Sequence, residues 1–142
     1  MTLGVPSQAA SRVTCANLTH EVQIRNRQYV ARLSKGAIGL SVTRLKPDGS
    51  AGSVAFSGDR IGLGFDSPLP ASVTDAQLTD VQVSVDKCYS FYARLSVTGK
   101  LDYSNLATFS IKRTYEFTRS RNIYAQLEIW LERAFGPVRV VA

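Results

Sequence analysis

Apolar and polar side chains alternate strictly along two neighbouring stretches of the chain, 90–100 and 106–117, and a third stretch, 78–86, does the same. A period of two is the pattern of a β-strand with one buried face, because successive side chains of a strand point to opposite sides. The three stretches therefore predict adjacent strands of one sheet. One face of that sheet is apolar, and the other carries hydroxyl groups and cations.

The two faces of this predicted sheet indicate different roles. The polar face is rich in Ser, Thr, Arg and Lys, with Tyr92 among them. Cations can neutralise phosphates, hydroxyl groups can donate to phosphate and sugar oxygens, and an aromatic ring can stack on an unpaired base. We therefore favour a nucleic-acid-binding face over an ordinary solvated strand face. The apolar face, which Arg113 interrupts once, is expected to bury Phe91, Leu95, Val97, Phe109, Ile111 and Tyr115.

Shorter strand-like runs precede this sheet. The segment 20–34 predicts two short strands or one bulged strand, with a break at Asn26, and 40–45 predicts another strand. Proline and glycine at 46–50 predict a turn. The runs 53–56 and 60–65 predict a hairpin.

A helix is predicted after the third long strand. Its apolar side chains recur at helical spacing, Thr118 or Ser120 can cap its start, and Gly136 with Pro137 can end it. Many strands followed by one helix indicate an α+β fold, in which an antiparallel meander sheet carries a C-terminal helix on one face. One helix covers only part of such a sheet, so we expect a second subunit to cover the rest.

The distribution of charge along the chain indicates what kind of partner it binds. The chain has 142 residues, which fits a single domain, and a formal net charge of +6. Its cations are concentrated in two blocks, 1–47 and 81–121, on either side of an acidic segment, 48–80. This distribution suggests an anionic partner, most simply nucleic acid. The alternative is a soluble basic domain without such a partner.

Other functional classes lack their characteristic residues. A single histidine, His20, and the lack of a GxSxG motif or Gly-rich phosphate loop argue against an enzyme. No cofactor, metal or small-molecule substrate is expected, since no Cys and His spacing suits a metal. No apolar run is long enough to span a membrane and the start is not a signal peptide, so the sequence indicates a cytoplasmic protein. There, free buried thiols at Cys15 and Cys88 are favoured over a bridge.

Residues 78–135, with three strands followed by a helix, resemble the C-terminal half of the coat proteins of single-stranded RNA bacteriophages, the levivirus-like family. The stretch YSNLATFSIKRTYEFTRSRNIYAQLEIWLERAF is similar in pattern to their last strand and first helix. The resemblance implies a dimer in which two sheets pair edge to edge and each helix crosses the apolar face of the partner. It also implies an icosahedral capsid whose inner sheet face binds single-stranded RNA.

Carried over by position, the resemblance assigns roles to particular residues. The RNA-binding residues would be Gln82, Ser84, Tyr92, Arg94, Ser96, Thr98, Thr108, Ser110, Lys112 and Thr114. The dimer interface would contain Ile123, Leu127, Trp130 and Leu131 of the helix. The single domain would consist of N-terminal strands and hairpins (1–77), a three-stranded sheet core (78–117) and the dimer-forming helix (118–136).

The expected function is therefore that of a viral coat protein. It would dimerise, assemble into an icosahedral shell and package single-stranded RNA, with no membrane partner. Its location would be the virion, assembled in the cytoplasm of a bacterial host. The alternatives are a nucleic-acid-binding module outside a capsid, or a structural component of a phage tail or connector.

Overall fold

The protein is built from β-strands. The computed structural model describes residues 12–36, 39–57, 62–67, 71–74, 78–103, 107–134 and 139–141. These residues form twelve strands and no helix, so they contain no helix able to span a membrane. The strands are β1 Thr14–Asn17, β2 Glu21–Arg25, β3 Tyr29–Ser34, β4 Leu40–Leu45, β5 Ala51–Ser57, β6 Gly62–Ser67, β7 Ala71–Thr74, β8 Thr79–Tyr89, β9 Tyr92–Tyr103, β10 Ala107–Thr118, β11 Ile123–Ala134 and β12 Arg139–Val141.

The strands form three antiparallel sheets. The first sheet has the order β1-β2-β3-β4-β5, and the second has the order β11-β10-β9-β8. Both are meanders, in which each strand pairs with its neighbour in sequence. The third sheet is small and joins β12, β6 and β7. The hairpin predicted from the runs 53–56 and 60–65 is wrong, because β5 pairs with β4 while β6 pairs with β7 and β12.

The predicted α+β fold is wrong, because the segment assigned to a C-terminal helix is strand β11. It pairs with β10 over its whole length, from Phe117 opposite Ile123 to Ala107 opposite Ala134. Thr118 and Ser120, predicted as helix caps, accept hydrogen bonds from the backbone N–H groups of Ser120 and Asn122 in the turn before β11. These hydroxyl groups therefore stabilise a tight turn by the chemistry that was expected to cap a helix.

The spacing that predicted the helix also fits a strand. Ile123, Leu127 and Leu131 are four residues apart, and four is a multiple of the two-residue period of a strand. Trp130, by contrast, lies on the opposite side of β11 from these three. The predicted dimer-forming helical face therefore does not exist, and a helix-exchanging dimer is wrong for this chain.

The hydrophobic core lies between the first and second sheets. One cluster of buried side chains combines residues of both sheets, such as Ile24, Leu33 and Val42 of the first with Leu95 and Phe117 of the second. Two antiparallel sheets that bury one face each against the other form a β-sandwich. Each fully buried Leu, Ile or Phe stabilises the fold by about 1.5–3 kcal/mol. The second sheet also carries a smaller buried cluster, made by Leu101, Tyr103, Ala107, Phe109 and Ile111.

Arg113 lies on the inner face of the second sheet, between residues of these two clusters. Its side chain is buried, with 4 % of the residue exposed, and it donates a hydrogen bond of 3.3 Å to the Tyr115 hydroxyl. The interruption of the apolar pattern at this position is thus a buried cation. Phe91, predicted to be buried, lies instead in the turn between β8 and β9 and is 55 % exposed.

A buried amide ties the two sheets together at one end. Asn26, in the turn between β2 and β3, donates from its Nδ2 to the carbonyl oxygens of Thr118 (2.8 Å) and Ser120 (3.0 Å) in the second sheet. Its Oδ1 accepts from the backbone N–H groups of Gln28 and Tyr29. All four hydrogen-bonding positions of the amide are therefore used. The strand break predicted at Asn26 is confirmed.

A disulfide closes one side of the sandwich, which makes the preference for free thiols wrong. Cys15 of β1 is bonded to Cys88 of β8, 73 residues apart, and the Val13 N–H donates to the Ser90 carbonyl beside it at 2.9 Å. These two links join β1 at one edge of the first sheet to β8 at one edge of the second. The opposite edges, β5 and β11, have no such link among the described residues.

Replacing Asn26 tests the tie between the sheets. Asn26→Ala leaves two carbonyl groups and two N–H groups without partners, so we expect the free energy of unfolding to fall by about 2–5 kcal/mol. Asn26→Asp should cost at least as much, because a carboxylate would face two carbonyl oxygens. Urea unfolding measures both. Asn17→Ala, at an exposed position of β1, is the control; an equal loss in that control would show that Asn26 has no special role.

Removing the disulfide tests the closed side. The double variant Cys15→Ser with Cys88→Ser should lose about 2–5 kcal/mol of unfolding free energy, because the unfolded chain is no longer cross-linked. Reduction of the wild type should cause the same loss and leave the variant unchanged. Titration of thiols in unfolded, unreduced wild type should find none. Two free thiols would contradict the bridge.

Candidate functional site

The ten side chains predicted to bind RNA lie on the face of the second sheet that points away from the core, here called the outer face. The strand register arranges them in rows across the sheet. One row contains Gln82, Thr98 and Lys112, and the next contains Ser84, Ser96 and Thr114. A third row begins with Arg94, while Tyr92, Thr108 and Ser110 lie towards the ends of the strands. The structure therefore brings the predicted residues together on one surface.

The middle of the outer face is a compact hydroxyl network. The Ser84 and Ser96 hydroxyls are 2.8 Å apart, and both donate to Oδ1 of Asp86. Ser96 and Thr114 are almost fully buried, with 6 % and 3 % exposed. Their hydroxyl groups are thus unavailable to a large ligand, and this part of the predicted site is structural.

Two of the cations on the outer face are neutralised by carboxylates. The Arg94 Nε lies 3.7 Å from Glu116 Oε1, which also accepts a hydrogen bond of 2.7 Å from the Tyr92 hydroxyl. Partial burial and then this hydrogen bond raise the pKa of Tyr92. Lys100 Nζ lies 3.8 Å from Glu132 Oε2, and Ser110 donates to the other oxygen of the same carboxylate. The outer face is therefore much less positive than the sequence pattern indicated.

A depression of about 400 Å³ occupies the outer face near Lys112. Its lining includes Lys112, Trp130, Thr98 and Gln82, and Asp80 borders it. Asp80 has a positive φ of 52° and lies where the β8–β9 register shifts. Aspartate tolerates this backbone conformation better than most residues, and such bulges often redirect a side chain. Lys112 has no ion pair within the described part of the chain.

A second charged surface lies at the end of the sandwich where Asn26 joins the two sheets, here called the turn end. The turns β2–β3, β4–β5, β8–β9 and β10–β11 lie there, together with the start of β1, because Leu45 N–H bonds to the Gln28 carbonyl and Val13 N–H to the Ser90 carbonyl. All of its cations are exposed. They are Arg12, Arg25, Arg27, Arg44, Lys46, Lys87, Arg119 and Arg121.

A pocket of about 330 Å³ opens between the sheets at the turn end. Arg44 of the first sheet and Arg121 of the second lie on its walls, and Tyr29 and Val42 contribute apolar surface. Nearby, Asp48 binds both the N–H and the hydroxyl of Ser50. These bonds, first the one from the Ser50 hydroxyl, lower the pKa of Asp48.

The third surface is the open edge, formed by β5 and β11. Of the ten large hydrophobic side chains exposed in the described part of the chain, five lie on β11 and two on β5. They are Tyr124, Leu127, Ile129, Trp130 and Leu131 of β11, with Val54 and Phe56 of β5. Between the strands, a groove of about 350 Å³ is lined mainly by apolar side chains, including Phe56, Tyr115 and Ile123.

Sequence reasoning missed two features of these surfaces. Glu128 and Glu132, which bring negative charge to the outer face, were assigned to a helix and so were not placed beside the cations. The turn end was missed because Arg27, Arg44 and Arg121 are far apart in sequence. The signal that could have found it is that Arg27 and Arg44 lie beside a predicted break and a predicted turn, while Arg121 lies at the start of the predicted helix.

Comparison with known proteins gives no relative from which a role could be transferred: no family model, no curated protein and no solved structure matches the chain. Among the described residues, no three His, Cys, Asp or Glu side chains come together as a metal site would require.

The buried hydroxyl of Tyr29 has a testable pH dependence. Tyr29 is 3 % exposed, and its hydroxyl has no hydrogen-bond partner among the described residues. Burial raises the pKa of Tyr29 to about 12. The unfolded state therefore loses this proton near pH 10 while the folded state keeps it, so stability falls as the pH rises from about 10 to about 12.

Replacing Tyr29 by Phe should remove this dependence. At pH 7, Tyr29→Phe should be as stable as the wild type or more stable by up to about 1–3 kcal/mol, because an unsatisfied buried hydroxyl is lost. Above pH 10 its stability should fall less steeply. Urea unfolding across this pH range measures both effects, with Tyr124→Phe at an exposed position as control. Marked destabilisation of Tyr29→Phe at neutral pH would mean that the hydroxyl has a partner.

Proposed function

We propose that this chain is a coat-type structural subunit, which associates with copies of itself into a shell around single-stranded RNA. The observation that carries the proposal is the open edge. A monomeric protein rarely leaves so much apolar surface in one place. The proposal keeps the self-associating subunit of the coat-protein resemblance and replaces the helix exchange with contacts between strands.

The size of the open edge fits an interface between subunits. Trp130, Tyr124 and Phe56 are each about half exposed. An aromatic side chain can bury about 150–250 Å², so these three alone offer on the order of 300 Å². Leu127, Ile129 and Leu131 lie on the face of β11 opposite to Tyr124 and Trp130. A partner that pairs with β11 and covers both of its faces could therefore bury roughly 500 Å² of apolar surface, a large part of the ~800 Å² that each partner contributes to a typical stable interface.

Strand β11 itself is suited to pair with a second copy. It is 12 residues long, and among the described residues only β10 pairs with it. It lacks proline and lysine, which commonly protect edge strands against association. Antiparallel pairing of two copies about Ile129 would place Leu127 opposite Leu131 of the partner subunit and Glu128 opposite Trp130 of the partner subunit. Pairing about Glu128 would place two carboxylates face to face, which is unfavourable.

The net charge and the disulfide support the other two parts of the proposal, enclosure of RNA and assembly into a shell. A net charge of +6 per chain, repeated over many copies, is suited to enclose a polyanion. The Cys15–Cys88 disulfide fits a particle that leaves the reducing cytoplasm, since disulfides persist in virions and other extracellular settings.

A nucleic-acid-binding module outside a capsid is the second candidate. The observation that favours it is the concentration of exposed cations at the turn end, which forms one local site and not a continuous lining. A protein of this kind would bind nucleic acid as a monomer or small oligomer.

Size-exclusion chromatography of the recombinant protein tests the proposal. The wild type should elute as a large particle with co-purified nucleic acid, recognised by its absorbance. Ile129→Glu with Leu131→Glu should give small species, because two charges would enter the interface. Both positions are exposed, at 38 % and 54 %, so the fold should persist.

The matched control is Leu18→Glu, which alters a 45 % exposed leucine away from the open edge and should leave the particles intact. A small wild-type species that carries nucleic acid would favour the second candidate. A small wild-type species without nucleic acid would contradict both functions.

A further inference from the structure

We infer that the turn end is a binding site for single-stranded nucleic acid, in which its cations hold phosphates and the stacked pair Tyr89 and Phe91 receives bases. The inference names where the RNA of the proposed function is held, and it rests on that function only in the choice of RNA as the ligand. It places the RNA contact at the turn end, whereas the sequence predicted that contact on the outer face of the second sheet.

The first support is the charge balance of the turn end. Eight exposed cations lie on the turns and strand ends that meet there. Arg94 pairs with Glu116 and Lys100 with Glu132, and none of the turn-end cations has an ion pair within the described part of the chain. Asp48, the acidic residue of the β4–β5 turn, is held by Ser50. Exposed cations without carboxylate partners are those that a phosphate backbone can recruit.

The second support is aromatic and independent of charge. Tyr89 is the last residue of β8 and Phe91 lies in the β8–β9 turn, and they are 52 % and 55 % exposed. Their rings are stacked, with centroids 5.6 Å apart and planes 11° from parallel. Two exposed aromatic side chains in one turn expose apolar surface to water without contributing to the core. Such rings are the usual platform on which unpaired bases stack.

The third support is the way in which the site is assembled. Arg27 and Arg44 come from the first sheet and Arg119 and Arg121 from the second, and the Asn26 hydrogen bonds to Thr118 and Ser120 hold the two sets of turns together. The Val13 to Ser90 hydrogen bond and the Cys15–Cys88 disulfide hold the β8–β9 turn, with its aromatic pair, against the first sheet. Rigid strands thus present several exposed turns as one surface, an arrangement that sandwich folds use for binding.

The outer face is the less suitable place for a phosphate backbone. Arg94 and Lys100 there are neutralised by Glu116 and Glu132. Glu128 is the strand partner of Lys112, so it adds a further negative charge beside the one cation of the predicted set that has no ion pair among the described residues. A polyanion on this face would meet at least as many carboxylates as cations.

Binding of a fluorescent 12-nucleotide oligouridylate, measured by anisotropy at several salt concentrations, tests the inference. Arg119→Gln with Arg121→Gln should weaken binding roughly tenfold near physiological salt, and should lower the slope of log affinity against log salt by about 1.4, since each phosphate contact contributes about 0.7. Tyr89→Ala with Phe91→Ala should weaken binding roughly tenfold or more with little change of slope, because stacking releases no counterions.

Two control variants match these changes, one for the loss of charge and one for the loss of the rings. Arg32→Gln with Lys35→Gln removes two cations away from the turn end and should bind like the wild type. Tyr89→Phe with Phe91→Tyr keeps both rings and should restore binding. Thermal unfolding confirms that each variant is folded. Duplex RNA should bind the wild type more weakly than the single strand, because its bases cannot reach the rings.

The outcomes separate this inference from the proposed function. If Arg94→Gln with Lys112→Gln abolishes binding while the turn-end variants bind normally, the inference is wrong and RNA packaging stands. Equal binding of duplex and single strand, with no effect of the aromatic variants, would overturn the stacking role and with it the site as stated. If wild-type protein binds no oligouridylate, both the inference and the RNA part of the proposed function fail.

Discussion

The burial of one face of each sheet against the other is the constraint on which the rest of this structure depends. Side chains such as Ile24, Leu95 and Phe117 reach zero or nearly zero exposure only because the two sheets face each other. The apolar side chains on the inner faces of the central strands β9 and β10 are buried. Strands β5 and β11 lie at the margin of the core and keep apolar side chains exposed. The interface that we propose between subunits is thus a consequence of where the core ends.

The links between the two sheets determine where the exposed cations lie on the molecule. Asn26 and the Cys15–Cys88 disulfide hold the turns of both sheets at one end. Eight of the fourteen cations of the two basic sequence blocks lie there, while carboxylates of β10 and β11 neutralise cations on the outer face. A chain that looks uniformly basic on its polar sheet face therefore concentrates its available positive charge at the turns.

Predictions from local pattern succeeded where the pattern had one interpretation. The alternation at 78–86, 90–100 and 106–117 gave strands β8, β9 and β10, and the break at Asn26 separated β2 from β3. The segment 123–134 had two interpretations. Its Ala, Gln, Leu and Glu residues favour a helix, but its apolar residues also alternate as in a strand. The segment forms a strand because it pairs with β10. The placement of Glu132 beside Lys100 could not be predicted once that segment was read as a helix.

The sequence by itself determined which side of β8, β9 and β10 is apolar, that the chain turns at Asn26 and at 46–50, and that the protein carries an excess of positive charge. Those properties depend on residues close together along the chain. Only the tertiary structure decided that Cys15 is bonded to Cys88, that Arg44 and Arg121 line one pocket, and that β11 lies at an open edge. These features involve residues far apart in sequence, and they exist because burial of the core brings the two sheets face to face.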